Sequence, residues 1–261
     1  MLPKEHGAYG QLLFPMATAF AVAGVSPESG VAAAAMTAGF LAHEPLLVWL
    51  GRRGSRAKRE NGRRAMRFLL VLGAAALGGW LTAALAVPPG DRWTFVVPVV
   101  AAVALMLAVL AGREKSTFGE LVAASAFSLN ALPLCVAAGA PPSAGFAIAT
   151  AFGLVFSAST LAVRAVILRV RAGGNPRAAN RSRAAALGIA AAGTIALALA
   201  GVGTLWARIV LVAAVPGLLL TVWLALAPPP PANLRRVGWG LVAASAGTGV
   251  AIAVGLTAGW V

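Results

Sequence analysis

Nine long apolar runs follow one another along the chain, and short polar or charged stretches separate them. A helix of about 20 residues rises about 30 Å, which is enough to cross the hydrocarbon core of a bilayer. The pattern therefore predicts an all-α integral membrane protein with about nine transmembrane helices in one bundle, forming a single domain over residues 1–261. The predicted spans are 10–26, 31–50, 68–88, 93–112, 120–140, 143–168, 184–203, 205–227 and 238–260.

The composition supports this prediction, because 60% of the residues are hydrophobic and only 11% are charged. Soluble domains have about 45–50% apolar and about 25% charged residues. A soluble protein of this length could not bury so much apolar surface, so lipid is the solvent that the composition favours.

The net charge of +14 is distributed unevenly between the loops. If the N-terminus is cytoplasmic, 19 of the 21 Lys and Arg residues fall on one side, and only Arg92 and Arg208 fall opposite. Lys and Arg are enriched in cytoplasmic loops, so the pattern predicts a cytoplasmic N-terminus and a C-terminus outside. This explanation of the charge disfavours nucleic acid as a partner and favours anionic membrane lipids or a phosphorylated ligand. The sequence identifies no protein partner.

Cysteine and histidine are too scarce to indicate a cofactor. The one cysteine, Cys135, lies in an apolar run and is expected to be a small buried residue. His6 and His43 are the only histidines, and they show no pattern of the facing pairs that normally bind haem inside a bundle. We therefore expect no metal site built from these residues and no cofactor, with Mg²⁺ as the one alternative left open although Asp-rich motifs are absent.

Polar residues at the ends of spans are candidates for chemistry, since they are costly to bury. Lys4, Glu5 and His6 precede the first span and form either a helix-entry site or a solvated terminus. His43 and Glu44 precede the end of the second span, where they are candidate general bases. The structural alternative for this second group is an ion pair with Arg52 or Arg53.

Two arginine-rich loops are candidate anion sites, because guanidinium groups bind phosphate well. In the first loop, arginines recur every three or four residues and would form one stripe if the loop is helical. In the second, a helix start is expected near Pro176, with donors on one face. Both groups could instead be topology signals that contact anionic lipid. The candidate residues are Arg52, Arg53, Arg56, Arg59, Arg177, Asn180 and Arg181, with Lys4 from the N-terminus.

Two further candidates lie in the fifth predicted span. Glu120 is expected in the first turn of its helix, where the macrodipole favours a carboxylate and capping is a sufficient explanation. Asn130 is expected near the middle of the membrane, facing the interior of the bundle. Ser159, Thr160 and Arg164 form a polar group near the end of the sixth span.

Several segments together resemble the YwiC-like family of bacterial integral membrane proteins. They are PKEHGAY at residues 3–9, HEPLL at 43–47, RRGSR at 52–56 and NPRAANR at 175–181. The resemblance implies a multi-pass protein of the bacterial cytoplasmic membrane and no particular activity.

A more distant resemblance is to the UbiA-type intramembrane prenyltransferases, which have nine helices and cytoplasmic active-site loops after helices two and six. The two arginine-rich loops occupy those places, and FGEL at residues 118–121 is similar to the start of the fifth UbiA helix. The resemblance implies prenyltransferase-like activity. However, UbiA enzymes hold Mg²⁺ with Asp-rich motifs in both loops, whereas this chain has one aspartate, Asp91. Arginines would then hold a diphosphate directly, without Mg²⁺.

Three functions follow as alternatives. The first is a divergent UbiA-like protein that binds an isoprenoid or lipid phosphate, with or without catalysis. The second is a transporter or lipid-handling protein, in which Pro98, Pro133 and Pro216 could break helices. The third is a non-catalytic membrane subunit.

Overall fold

The computed structural model describes residues 6–170, 176–230 and 233–258, which contain helices and no strand. One turn of 3₁₀ helix at Pro89–Asp91 precedes the fourth helix. The α-helices are α1 (His6–Ala23), α2 (Pro27–Trp49), α3 (Ser55–Ala86), α4 (Trp93–Leu110), α5 (Thr117–Leu129), α6 (Ala131–Ala137), α7 (Pro142–Val170), α8 (Pro176–Gly201), α9 (Leu205–Leu226) and α10 (Leu234–Ala258).

These helices confirm the predicted all-α membrane bundle. Within the described residues, eight segments are long and apolar enough to cross a membrane, and α5 and α6 together make one of them. The first predicted span is a shorter apolar helix, Gly7–Ala23. The interruption at Asn130 lies three residues before Pro133, whose ring crowds the carbonyl four residues earlier. Pro98 and Pro216, in contrast, lie inside uninterrupted helices.

Two helices begin well before their apolar runs. α3 begins at Ser55 and not near residue 68, and α8 begins at Pro176 and not near residue 184. Arg, Lys, Glu and Ala all favour helix, so the charged stretches continue the helices beyond the predicted spans. The arginine-rich segment before residue 68 is therefore an ordered part of α3.

The centre of the bundle is α7, which packs against α5, α6, α8, α9 and α10. Its Ile148, Phe152 and Leu161 are fully buried. Glycines let its neighbours come close: an added Cβ at Gly193 or Gly217 would clash with side chains of α7. The helix α3, in contrast, packs mainly on α2 and leaves most of its surface open.

Exposed tryptophans lie towards both ends of the bundle. Tryptophan is enriched at the two membrane–water interfaces, so these positions mark a bilayer-like band across the helices. One end of the bundle holds Trp49, Trp223 and Trp239, and the opposite end holds Trp93 and Trp206. The first of these ends also contains the starts of α1, α3, α5, α8 and α10. We call the first end the basic end, because most of the Lys and Arg residues lie there.

The two arginines at the opposite end have a structural role. Arg92 donates to the carbonyls of Leu85 and Val87 at the end of α3, over 3.1 and 3.4 Å. Arg208 donates to the carbonyls of Gly201 and Val202 at the end of α8. The last carbonyls of a helix have no partner within the helix, so these arginines satisfy them.

Candidate functional site

The loop from α4 to α5, residues 111–116, joins the elements of the basic end. Arg52, from the loop after α2, donates from Nη2 to the carbonyl of Leu110 over 2.9 Å. Gly112 has a positive φ of 69°, and an added Cβ would lie 2.7 Å from Nη1 of Arg52. Only glycine fits this position without displacing the arginine or straining the backbone.

Glu44 and Arg53 form a nearly buried ion pair beside this loop. Arg53 donates from Nε to Oε1 of Glu44 over 2.9 Å and from Nη2 to Oε2 over 2.5 Å. The side chain of Glu44 is 6% exposed, and that of Arg53 is 23% exposed. Gly51 and Gly54 have positive φ values, which lets the short loop turn Arg53 back towards α2. The structure thus places Glu44 in an ion pair with Arg53, which was the alternative to a role as general base.

His43 faces the α4–α5 loop and not the interior of the bundle. Its Nε2 lies 4.0 Å from Oε2 of Glu114, and both side chains are partly exposed. That carboxylate oxygen is buried and has no hydrogen-bond partner in the described part of the chain. The pair becomes a salt bridge only when His43 is protonated.

The start of α5 is fixed by its cap and by close backbone packing. The side chain of Ser116 accepts a hydrogen bond from the amide of Gly119. An added Cβ at Gly119 would lie 2.5 Å from the carbonyl oxygen of Glu114 and 2.6 Å from that of Arg113. Glu120 therefore enters the first turn of α5 in a defined position, as the sequence predicted.

Arg164 of α7 connects the α4–α5 loop to Glu120. Its Nη1 donates to the carbonyl of Lys115 over 2.9 Å and to Oε1 of Glu120 over 2.8 Å. Its side chain is 25% exposed and that of Glu120 is 29% exposed. Both of these hydrogen bonds come from the same nitrogen, Nη1.

A cavity of about 450 Å³ opens beside this ion pair, between α1, α5, α7 and α10. Along α7 its lining runs from Leu168 to Phe156, about 18 Å at the helical rise. Gln11 of α1 donates to Oγ1 of Thr160 over 3.4 Å across it. The polar lining residues are Gln11, Lys115, Glu120, Ser159, Thr160, Arg164 and Ser245, and the large apolar ones are Phe14, Phe156, Val163, Ile167, Leu168, Leu241 and Val242.

The predicted anion-binding residues Arg56 and Arg59 lie on a different helix from Arg177 and Arg181. Arg56 and Arg59 are exposed on α3, which packs on α2. Arg177 and Arg181 are exposed in the first turns of α8, which packs on α7 and α9. No hydrogen bond or ion pair between described residues connects the two sets. Asn180 accepts a hydrogen bond from Arg169 over 3.1 Å.

The remaining predicted residues are placed as follows. Lys4 and Glu5 lie outside the described residues, as do the side chain of His6 and the turn at 173–175. Asn130 is half-buried at the junction of α5 and α6. Among described residues, no three His, Cys, Asp or Glu side chains are grouped closely enough to hold a metal ion.

Sequence reasoning did not identify the cavity or the pairing of Arg164 with Glu120. The lining comes from four helices that are far apart in the sequence, so no local motif contains it. One available signal was Arg164 itself, a charged residue inside an apolar run. Such a residue is expected to have a partner or to line a polar cavity.

The apolar helices and the tryptophan positions define a multi-pass helical membrane protein with an amphipathic cavity at its basic end. The YwiC-like protein family matches residues 2–136, just over half of the sequence, and the chain belongs to this family. The matched region contains Glu44, Arg53 and Glu120, whereas Arg164 follows it. No curated protein and no solved structure matches the chain.

Proposed function

We propose that this protein binds an anionic amphiphile, an isoprenoid or lipid phosphate, in the cavity between α1, α5, α7 and α10. The observation that carries the proposal is the cavity itself, which is lined by the basic side chains of Arg164 and Lys115 and by apolar side chains of α1, α7 and α10. Its volume falls within the range of about 300–1,000 Å³ typical of small-molecule sites.

The guanidinium of Arg164 supports phosphate as the headgroup. A guanidinium can bind phosphate through two parallel hydrogen bonds, and the contacts of Arg164 with Glu120 and Lys115 both use Nη1. Ser159, Thr160 and Gln11 line the same cavity and offer further hydrogen bonds. A phosphate bound here would contact both charged and neutral donors.

The apolar part of the cavity supports a hydrocarbon tail. Phe14, Phe156 and Leu241 line it from three different helices. A ligand with a phosphate head and an apolar tail would therefore match both parts of the lining, whereas a soluble phosphate would match only the first.

The membrane orientation forms part of the proposal. The basic end carries nearly all Lys and Arg residues, and the positive-inside rule assigns such an end to the cytoplasm. We therefore place the basic end, with the cavity and the N-terminus, on the cytoplasmic side of a bacterial cytoplasmic membrane, and the C-terminus outside.

The proposal assigns binding and no reaction. His43 and Glu44, the predicted general bases, do not line this cavity, and both oxygens of Glu44 accept hydrogen bonds from Arg53. Prenyl transfer, a role for Mg²⁺ and a phosphate site on Arg56 and Arg177 remain predictions of the UbiA resemblance.

The test is the thermal stability of the purified protein in detergent, titrated with a prenyl diphosphate, the matching prenyl alcohol and phosphatidic acid. Each titration is run with Mg²⁺ and with EDTA. A ligand at one hundred times its Kd stabilises the folded state by about 2.7 kcal/mol. For a chain of this size, that raises the apparent Tm by about 5–10 °C. We expect one of the phosphates to stabilise the protein in EDTA, while the alcohol does not.

Variants locate the site. The double variant R164Q/E120Q removes the ion pair without leaving a lone charge, so it should fold and lose the phosphate response. K58Q removes an exposed basic residue of α3, which does not line the cavity, and should keep the response. If no phosphate stabilises the protein in any condition, or if R164Q/E120Q responds like wild type, the proposed site is wrong.

A second candidate function is transport, and the interrupted span of α5 and α6 favours it. Transporters commonly use discontinuous helices near the middle of the membrane, and this span is interrupted at Asn130. Movement of a labelled prenyl phosphate between the leaflets of proteoliposomes, without chemical change, would support transport. A leaflet distribution identical to that of protein-free liposomes would contradict it.

A further inference from the structure

The charged start of α3 extends beyond the apolar part of the helix. α3 has 32 residues, so it is about 48 Å long, whereas the hydrocarbon core of a bilayer is about 30 Å thick. The basic residues of this segment belong to the same continuous helix as its apolar span, so their heights relative to the membrane follow from the position of α3.

The packing of α3 against α2 gives that position. An added Cβ at Gly39 would lie 3.8 Å from the Cβ of Ala76, and one at Gly79 would lie 3.1 Å from the Cβ of Ala35. The two helices are antiparallel. Trp49 lies ten residues after Gly39 and Met66 lies ten residues before Ala76, so Trp49 and Met66 are at the same height in the bundle. Trp49 is 40% exposed at the end of α2, where tryptophan marks the membrane interface.

Three arginines therefore lie within one turn of the interface. Arg63, Arg64 and Arg67 flank the level of Met66, and all three are exposed. Ala65 is fully buried and lies on the side of the helix opposite to Arg63 and Arg67, which therefore face away from the protein. The guanidinium of Arg64 lies 5.6 Å from the ring centre of Phe68, within the range of a cation–π contact.

Three other basic residues of the same helix lie farther out. Arg56, Lys58 and Arg59 are about 10–15 Å beyond the level of Met66 at the helical rise. The headgroup region adds only about 5–8 Å to each side of the hydrocarbon core. Arg56 also pairs with Glu60 over 2.7 Å. These outer basic residues are thus exposed to water above the headgroups.

We propose that Arg63, Arg64 and Arg67 form a binding surface for the phosphates of anionic phospholipids. The height and exposure of all three, and the outward direction of Arg63 and Arg67, match a lipid headgroup, and the surface continues into the exposed apolar side chains Leu70, Val71 and Leu77 of the same helix. This surface is independent of the α1/α5/α7/α10 cavity, because none of its residues lines that cavity.

The test is a count of bound lipids by native mass spectrometry, after the protein in detergent is mixed with equal amounts of phosphatidylglycerol and phosphatidylcholine. Each basic residue near an anionic surface contributes about a fivefold preference. Wild type should retain more phosphatidylglycerol, and R63Q/R64Q/R67Q should reduce this preference by at least about tenfold. R63K/R64K/R67K keeps the charge and should retain most of the preference.

The matched control is R56Q/K58Q/R59Q, which removes the same charge from the same helix farther from the membrane. It should leave the lipid preference unchanged within about twofold. Equal losses in the two triple variants would show a nonspecific effect of net charge and overturn the assignment. A wild-type protein without preference for phosphatidylglycerol would also overturn it and would point to an acidic protein as the partner of α3.

Discussion

The ion pair between Glu44 and Arg53 should be a main determinant of stability at the basic end. The variant R53Q leaves the carboxylate of Glu44, whose side chain is 6% exposed, without its two charged hydrogen bonds. Breaking a buried pair costs about 3–5 kcal/mol, and the partial exposure of Arg53 places this pair near the lower value. A loss of about 3 kcal/mol should lower the apparent Tm by about 6–12 °C for a chain of this length.

Thermal unfolding in one detergent, at one protein concentration, measures this loss. E44Q should be less damaging than R53Q, because the side chain of Arg53 is partly exposed and its charge can reach water. E44Q/R53Q should also be less damaging than R53Q, since no buried charge remains. R56Q is the control: it removes the exposed pair of Arg56 with Glu60, worth about 0.3–0.5 kcal/mol. Equal shifts for R53Q and R56Q would refute the reasoning.

Two further predictions concern packing. G119A should lower the apparent Tm, with a loss of about 1–3 kcal/mol, because its Cβ would lie 2.5 Å from the carbonyl oxygen of Glu114. The control is G30A, which should not lower the apparent Tm because nothing lies within 4 Å of its added Cβ. Equal shifts of the Tm in the two variants would contradict this prediction. Cys135, fully buried in α6, should react with a maleimide only after denaturation, and rapid labelling of the folded protein would show that this part of the bundle is misplaced.

Hydrophobic patterning was sufficient to predict the helices but not where they begin. The apolar run of α3 starts near residue 68, whereas the helix starts at Ser55. Hydropathy reports which solvent a segment prefers, and a helix can pass from lipid into water without a break. The good helix formers between Ser55 and Arg67 contained the missing information.

Proline alone did not determine where a helix is interrupted. Pro133 adjoins the interruption between α5 and α6, but Pro98 and Pro216 remain inside continuous helices, as does Pro45. Neighbouring helices in a membrane bundle can compensate for the backbone hydrogen bond that proline removes. Whether they do depends on tertiary packing, which a single sequence does not show.

The candidate site was predicted only in parts. Glu120 was placed in the first turn of a helix, where its charge is favourable, and this location was sufficient to explain it. Its partner, Arg164, lies 44 residues away, and the cavity beside them needs side chains from four helices. Such long-range pairings follow from the packing order of the helices, and no local spacing encodes that order.

The distribution of the few acidic residues explains why the positive charge of this protein lies on its surface. The chain has 7 Asp and Glu residues against 21 Lys and Arg. Glu44, Glu60, Glu114 and Glu120 each face an arginine or histidine at the basic end. Arginines that enter the bundle, such as Arg53 and Arg164, are thus paired, because an unpaired buried charge is costly. The excess must lie where water or lipid phosphates solvate it, and the exposed arginines of α3 occupy such positions.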